Sequence, residues 1–316
     1  MSGLLDHRLL FVTGKGGVGR TTVASALGIL ASGAGKRALV CEMEPRGDLA
    51  RALECGPLSY TPRAVAPRLS AMVMDTEAAL GEYLRLHLHL PVFTRLAPVA
   101  QALDFVAAAA PGVREVLTIG KLCYEVREGH YDLVVVDATA SGHIVGHFAA
   151  PVALSELVRV GPVRSETQWM LELLGDAART GVVVVATPEE MPVNEALELT
   201  GRLEEETGVA LAAVVANRVL PELFSRGEEE DFEALRRPEA LLLVEEALGG
   251  EVAAVLEGAA LAVGIRRAGA SHLARLAAAL PAGVPLLHLP YLFGRAHGPR
   301  AVHRVAELLG EELSSS

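Results

Sequence analysis

The sequence predicts a doubly wound α/β protein, with a parallel sheet covered by helices on both faces, and three observations predict it. Short runs rich in Val, Leu and Ile recur along the 316 residues, apolar on both faces as strands inside a parallel sheet must be. Longer helical patterns separate them, the alternation of a βαβ chain. The first run also leads through a glycine-rich turn directly into a helix.

Taken in order, "RLLFVT" (8–13) is the first strand and "TTVASALGILASG" (21–33) the first helix. "RALVCEM" (37–43) is the second strand, and a short strand at 70–75 follows. "DLVVVD" (132–137), "GVVVVAT" (181–187), "LAAVVAN" (211–217) and "PLLHLP" (285–290) complete the set, all read as central strands. Residues 76–128, with "EAALGEYLRLHLHL" and "LAPVAQALDFVAAAAPG", are too long for a simple crossover. With 144–178 they are expected to form a helical subdomain. Residues 222–281 open with the charged run "SRGEEEDFEALRR", a solvated face, and continue as Ala/Leu/Glu helices. No internal repeat is visible, so 1–316 is expected to be a single domain with helical elaborations.

Acidic residues number 39 against 28 basic ones, a net charge of −11 that repels nucleic acid. "MSGLLDHRLLFVTG" runs straight into the glycine turn and leaves no room for a signal peptide, which predicts a cytoplasmic protein. The longest uncharged stretches, 138–155 and 276–294, carry polar residues or three prolines and do not suit a membrane span. Cys41, Cys55 and Cys123 form no CxxC and read as reduced structural thiols. Of the 28 basic residues only Lys15, Lys36 and Lys121 are lysines, so a lysine retained in a motif is informative.

The turn, "TGKGGVGRTT", fits G-x-x-x-x-G-K-[ST] except that Arg20 replaces the lysine. Backbone N–H groups of Gly14, Lys15, Gly16, Gly17, Val18, Gly19, Arg20, Thr21 and Thr22 are placed to wrap a polyphosphate at a helix N-terminus. The Thr21 hydroxyl is the expected Mg²⁺ ligand. His143 and His147 stand i, i+4 but lack a third ligand of fitting spacing, and His87 and His89 read as polar helix positions.

"GKGGVGRT" resembles the deviant Walker A loop "GKGGxGKT" of the dimeric P-loop ATPases, among them ArsA, the ATPases that guide tail-anchored proteins, MinD, ParA and the nitrogenase iron protein. The resemblance implies that Lys15 crosses a dimer interface to the partner's nucleotide. "DATASGH" (137–143) is similar to the ArsA branch's switch II "DTAPTGH", with Asp137 as the acid that holds Mg²⁺ through water. "PGVREVLTIGKL" (111–122) and "TPEEMPVNEALEL" (187–199) resemble the stretches on either side. Asn217 matches the asparagine that reads adenine, and "HLPYLFG" (288–294), with Pro290, Tyr291 and Leu292, matches the adenine loop. The resemblance implies ATP or ADP with Mg²⁺, and catalytic roles for Lys15, Arg20, Glu44 and Asp137. It also implies a homodimer, or a heterodimer with a homologue, that serves a hydrophobic or membrane-associated client.

Three departures bear on activity. "EPRGD" replaces the switch I "DPAHS", so Glu44 stands where the water-positioning aspartate belongs. Ala140 and Ser141 replace the proline and threonine of switch II. Arg20 brings a broad, planar guanidinium where the loop uses a compact ammonium. The expectation is an ArsA-like ATPase; the alternative is a non-hydrolysing nucleotide-binding subunit that regulates a partner. A MinD-type membrane protein needs a basic C-terminal helix, and "HRVAELLGEELSSS" is acidic.

Overall fold

The computed structural model describes residues 3–88, 112–158, 162–293 and 298–315. Among them eight strands form one sheet: β1 (Leu9–Gly14), β2 (Ala38–Glu42), β3 (Arg63–Ala66), β4 (Leu69–Val73), β5 (Leu133–Ala140), β6 (Thr180–Ala186), β7 (Leu211–Val219) and β8 (Leu286–Pro290). Their order is β3-β4-β2-β5-β1-β6-β7-β8. Every neighbouring pair is parallel except β3 with β4. The sheet is therefore the doubly wound type that the strand–helix alternation predicts.

Strand geometry sends alternate side chains to opposite faces, and both faces are used. On β1, Leu9 and Phe11 enter one buried cluster while Leu10 and Val12 enter the other. The second cluster is closed by α1 (Arg20–Gly33), α2 (Asp48–Leu53) and α11 (Pro299–Ser315). The first is closed by α4 (Val113–Arg127), α5 (Ser141–Leu157), α6 (Pro162–Leu174), α7 (Glu190–Glu206) and the carboxyl half of α10 (Ala253–Ala279).

Helices α3 (Thr76–Leu88), α4 and α6 fall within the segments 76–128 and 144–178, and α5 starts three residues before the second of them. They surround a cavity of about 440 Å³ lined by Leu80, Leu84, Leu117, Leu154 and Trp169. The stretch 89–111, which holds most of "LAPVAQALDFVAAAAPG", lies outside the described residues. Between β7 and β8 come α8 (Arg226–Leu235), α9 (Pro238–Leu248) and α10.

Two strands differ from expectation. β8 is an edge strand rather than a central one; Leu287 and Leu289 are buried and His288 faces out. The four residues between Pro285 and Pro290 are too few to distinguish one-sided from two-sided burial by composition. β3 has no counterpart in the sequence reading. It is a four-residue, largely exposed strand whose apolar run is three residues long, Ala64 to Ala66, and it caps the opposite edge through its antiparallel pairing with β4.

Candidate functional site

β1 lies in the middle of the sheet, between β5 and β6, and ends in the glycine loop. The loop turns tightly enough that Gly14, Gly17 and Gly19 take φ of 148°, 87° and 99°, a region costly for any residue with a Cβ. A Cβ on Gly14 would run into the Val185 carbonyl of β6, and one on Gly19 into the Asn217 amide. Helix α1 starts at Arg20, directly after Gly19, so its free N–H groups and dipole face the loop.

Asn217 is 8 % exposed, and its Nδ2 donates to the Val18 carbonyl at 2.7 Å. The residue expected at adenine thus anchors the phosphate loop to β7. Beside it is a cavity of about 220 Å³ lined by Pro188, Arg218, Ile265, Leu273 and Tyr291. Pro290 closes β8, the Tyr291 N–H donates to the Val219 carbonyl at 2.8 Å, and Leu292 packs against the second core cluster.

Thr21 and Asp137 meet, with Thr21 Oγ1 donating to Asp137 Oδ2 at 2.6 Å. Adjacency of β1 and β5 brings this about, since Val12 is in register with Asp137. Burial pushes the Asp137 carboxyl up to about 6, with Glu42 and Asp48 adding to the rise and the Thr21 bond and Arg20 opposing it. Arg20 Nη1 donates to the Ala138 carbonyl. Thr22 is half-buried on the first turn of α1.

Lys15 reaches a partner that the sequence reading did not single out. Its Nζ pairs with Glu195 Oε1 on α7 at 2.5 Å, and Ser141 Oγ donates to Glu195 Oε2 at 3.1 Å. One carboxylate therefore joins the glycine loop to the start of α5. Glu195 lies inside "TPEEMPVNEALEL", and its place in that quoted stretch was the available signal.

Glu44 and Glu42 have contrasting surroundings. Glu44 pairs with Arg46 at 2.7 Å, its side chain 36 % exposed. Glu42 is 2 % exposed. Its Oε1 accepts from the Asp48 N–H at 2.8 Å, and its Oε2 has no hydrogen-bond partner among the described residues. The signal for Glu42 was a lone acid in the apolar run "RALVCEM". Hydroxyl and carboxylate oxygens from Thr21, Asp137 and Glu42 are the donor set of a hard divalent cation, and a buried carboxylate oxygen without a donor suits such an ion. The residues present therefore fit Mg²⁺.

Elsewhere, His147 Nδ1 lies 3.2 Å from the His143 carbonyl, and among the described residues no three His, Cys, Asp or Glu side chains gather into a metal site. His89 lies outside the described residues, as does the side chain of His87. All three cysteines are free, Cys41 and Cys123 buried; burial raises both thiols, that of Cys123 to about 12. No helix among the described residues is long and apolar enough to cross a membrane.

A glycine loop that ends the middle strand of a doubly wound parallel sheet and opens a helix, beside an acid on the neighbouring strand, defines a P-loop nucleotide-binding protein. The chain belongs to the ArsA-type family, the anion-transporting ATPases, whose profile matches residues 7–164 and 159–243. It is 32 % identical over 231 residues to ATPase BagA of Mycobacterium tuberculosis, covering 70 % of this chain and 67 % of that one. It is 26 % identical over 236 residues to ATPase ARSA2 of Chlamydomonas reinhardtii, covering 71 % and 62 %. It is also 29 % identical over 173 residues to ATPase get3 of Schizosaccharomyces japonicus, covering about half of each chain (51 % and 52 %).

Proposed function

We propose that this protein is a cytoplasmic, Mg²⁺-dependent ATPase that works as a dimer and couples nucleotide to a client through helices α3–α6. The observation that carries the reading is the Thr21–Asp137 hydrogen bond at 2.6 Å, directly beneath the glycine loop. It supports a metal held at Thr21 and, through water, at Asp137. Residues 14–22 wrap the phosphates, and the cavity lined by Arg218 and Tyr291 suits the base. When bound, Mg²⁺ supplies charge neutralisation at the phosphates.

The chain's own residues do the rest. Backbone N–H groups bind and orient the phosphates, and Arg20 adds positive charge beside them. Glu44 is the carboxylate suited to position a water. Lys15 is held by Glu195 within its own subunit; release of that pair frees it to reach a partner's nucleotide. The apolar cavity lined by Leu80, Leu84, Leu117, Leu154 and Trp169 supports a hydrophobic client at the helices.

Arg20 favours a second reading, a subunit that binds nucleotide and regulates a homologue without turning it over. Its guanidinium is committed to the Ala138 carbonyl, and a cation so placed impairs charge stabilisation in phosphoryl transfer more than binding. Hydrolysis of ATP by the wild type and by Arg20→Lys and Asp137→Ala variants, with binding measured in parallel, decides. Turnover that Asp137→Ala abolishes supports the ATPase. Tight binding without turnover in wild type and Arg20→Lys supports the regulatory subunit.

A further inference from the structure

Glu42 closes β2, and its Cα is in register with that of Asp137 on β5. Registered residues on neighbouring parallel strands send their side chains to the same face. Two carboxylates thus stand together at the carboxyl edge of the sheet, under the loop that carries Thr21. Among the described residues only one Glu42 oxygen is used: Oε1 accepts from the Asp48 N–H at 2.8 Å, while Oε2 is buried without a donor. A carboxylate oxygen taken out of water without a hydrogen-bond donor is costly, so Glu42, 2 % exposed, calls for a ligand that brings donors to Oε2.

Magnesium brings both. It dehydrates reluctantly and keeps several waters, each with two protons that need oriented acceptors. Asp137 Oδ2 already engages Thr21. Glu44, for which the family resemblance implies a catalytic role, is engaged with Arg46 at 2.7 Å.

We propose that Glu42 is the second carboxylate of the metal's water shell, its Oε2 accepting from a Mg²⁺-bound water beside Asp137 and its Oε1 fixing the turn at residues 43–47. Glu42 is thus a positioning residue, and this inference rests on the Mg²⁺–nucleotide reading above. A purely structural role is the competing account: Glu42 would serve as the acceptor that holds Asp48 and nothing more. Glu42→Gln separates the two, because the amide oxygen still accepts from Asp48 while the charge and the second acceptor are lost.

The test is calorimetric titration of the full chain with ADP, in EDTA and in Mg²⁺, together with Mn²⁺ binding followed by electron paramagnetic resonance. In the wild type Mg²⁺ tightens ADP binding. Glu42→Gln is expected to lose roughly tenfold or more of that tightening and to weaken Mn²⁺ binding equally, the size typical of groups that orient metal ligands. Its affinity for ADP in EDTA is expected to be unchanged or tighter, since a charge that repels phosphate has gone. Glu42→Asp, which keeps the charge on a shorter arm, is expected to fall between, and it carries the test if Glu42→Gln does not fold. Full Mg²⁺ tightening in Glu42→Gln overturns the proposal, as does an equal loss of affinity with and without the metal. A folded wild type that binds no ADP even in EDTA overturns the nucleotide reading and this proposal with it.

Discussion

Lys15 and Glu195, 180 positions apart in the chain, form an ion pair of 2.5 Å between the glycine loop and α7. Glu195 also receives the Ser141 hydroxyl, so one anion ties Lys15 to the residues after Asp137. Glu195→Gln keeps the shape and the Ser141 contact and removes the charge that holds Lys15. The pair is about one-third exposed on each side, so its loss is worth at most ~1 kcal/mol, about fivefold in an equilibrium. The variant is expected to self-associate up to about fivefold more tightly with ATP, measured by analytical ultracentrifugation. No such gain is expected when Lys15→Ala is combined with it. Equal effects of Glu195→Gln in the presence and absence of Lys15 would show that the pair does not restrain this lysine.

Arg20 points its guanidinium at a backbone carbonyl, that of Ala138. Lysine at this position is more compact and can leave that carbonyl for the phosphates. Arg20→Lys is expected to raise ATP turnover by tenfold or more, equivalent to ~1.4 kcal/mol of transition-state stabilisation, and to change ATP affinity by less than about threefold. Single-turnover hydrolysis checks this, and unchanged turnover shows that other groups limit the chemistry.

Asp137 gives the nucleotide-free protein a pH dependence of definite sign. Burial, chiefly, raises its carboxyl from 3.8 to about 6. The folded state therefore binds the proton more tightly than the unfolded chain. The resulting stabilisation is fully present below the unfolded value and is lost as pH rises through about 6. A shift of that size corresponds to at most about 3 kcal/mol. Relative to Asp137→Asn, the wild type is expected to lose up to that amount of unfolding free energy between pH 4 and pH 7, measured by urea titration. Parallel profiles for the two proteins would contradict the assignment. Mg²⁺–nucleotide requires the anion, so its binding is expected to tighten over the same range.

The sheet is largely legible in the sequence because fully buried parallel strands must be apolar on both faces, and Val134–Val136 or Val182–Val185 leave few other readings. The glycine loop is legible for a related reason: positive φ at Gly14, Gly17 and Gly19 restricts the residue type. The rest depends on contacts that local pattern does not carry. Arg63–Ala66 pairs only at an exposed edge. Glu195 finds Lys15 across 180 positions, and the carbonyl that Arg20 reaches has no side-chain identity to read. Glu42 looks like an ordinary polar strand end until β2 and β5 come into register. The resemblance assigns Asn217 to adenine, whereas the bond its side chain makes is to the Val18 carbonyl of the glycine loop.

The account rests on the loop from Gly14 to Thr22 gripping nucleotide phosphates, and calorimetry of Mg²⁺–ATP binding to the wild type, Thr21→Ala and Gly19→Ala tests this most directly. A Cβ on Gly19 would collide with the Asn217 amide, and Thr21→Ala removes the hydroxyl that meets Asp137. The predicted result is saturable one-site binding in the wild type, weakened at least about tenfold by Thr21→Ala and more by Gly19→Ala in protein that remains folded. Binding of equal strength in all three proteins would contradict it.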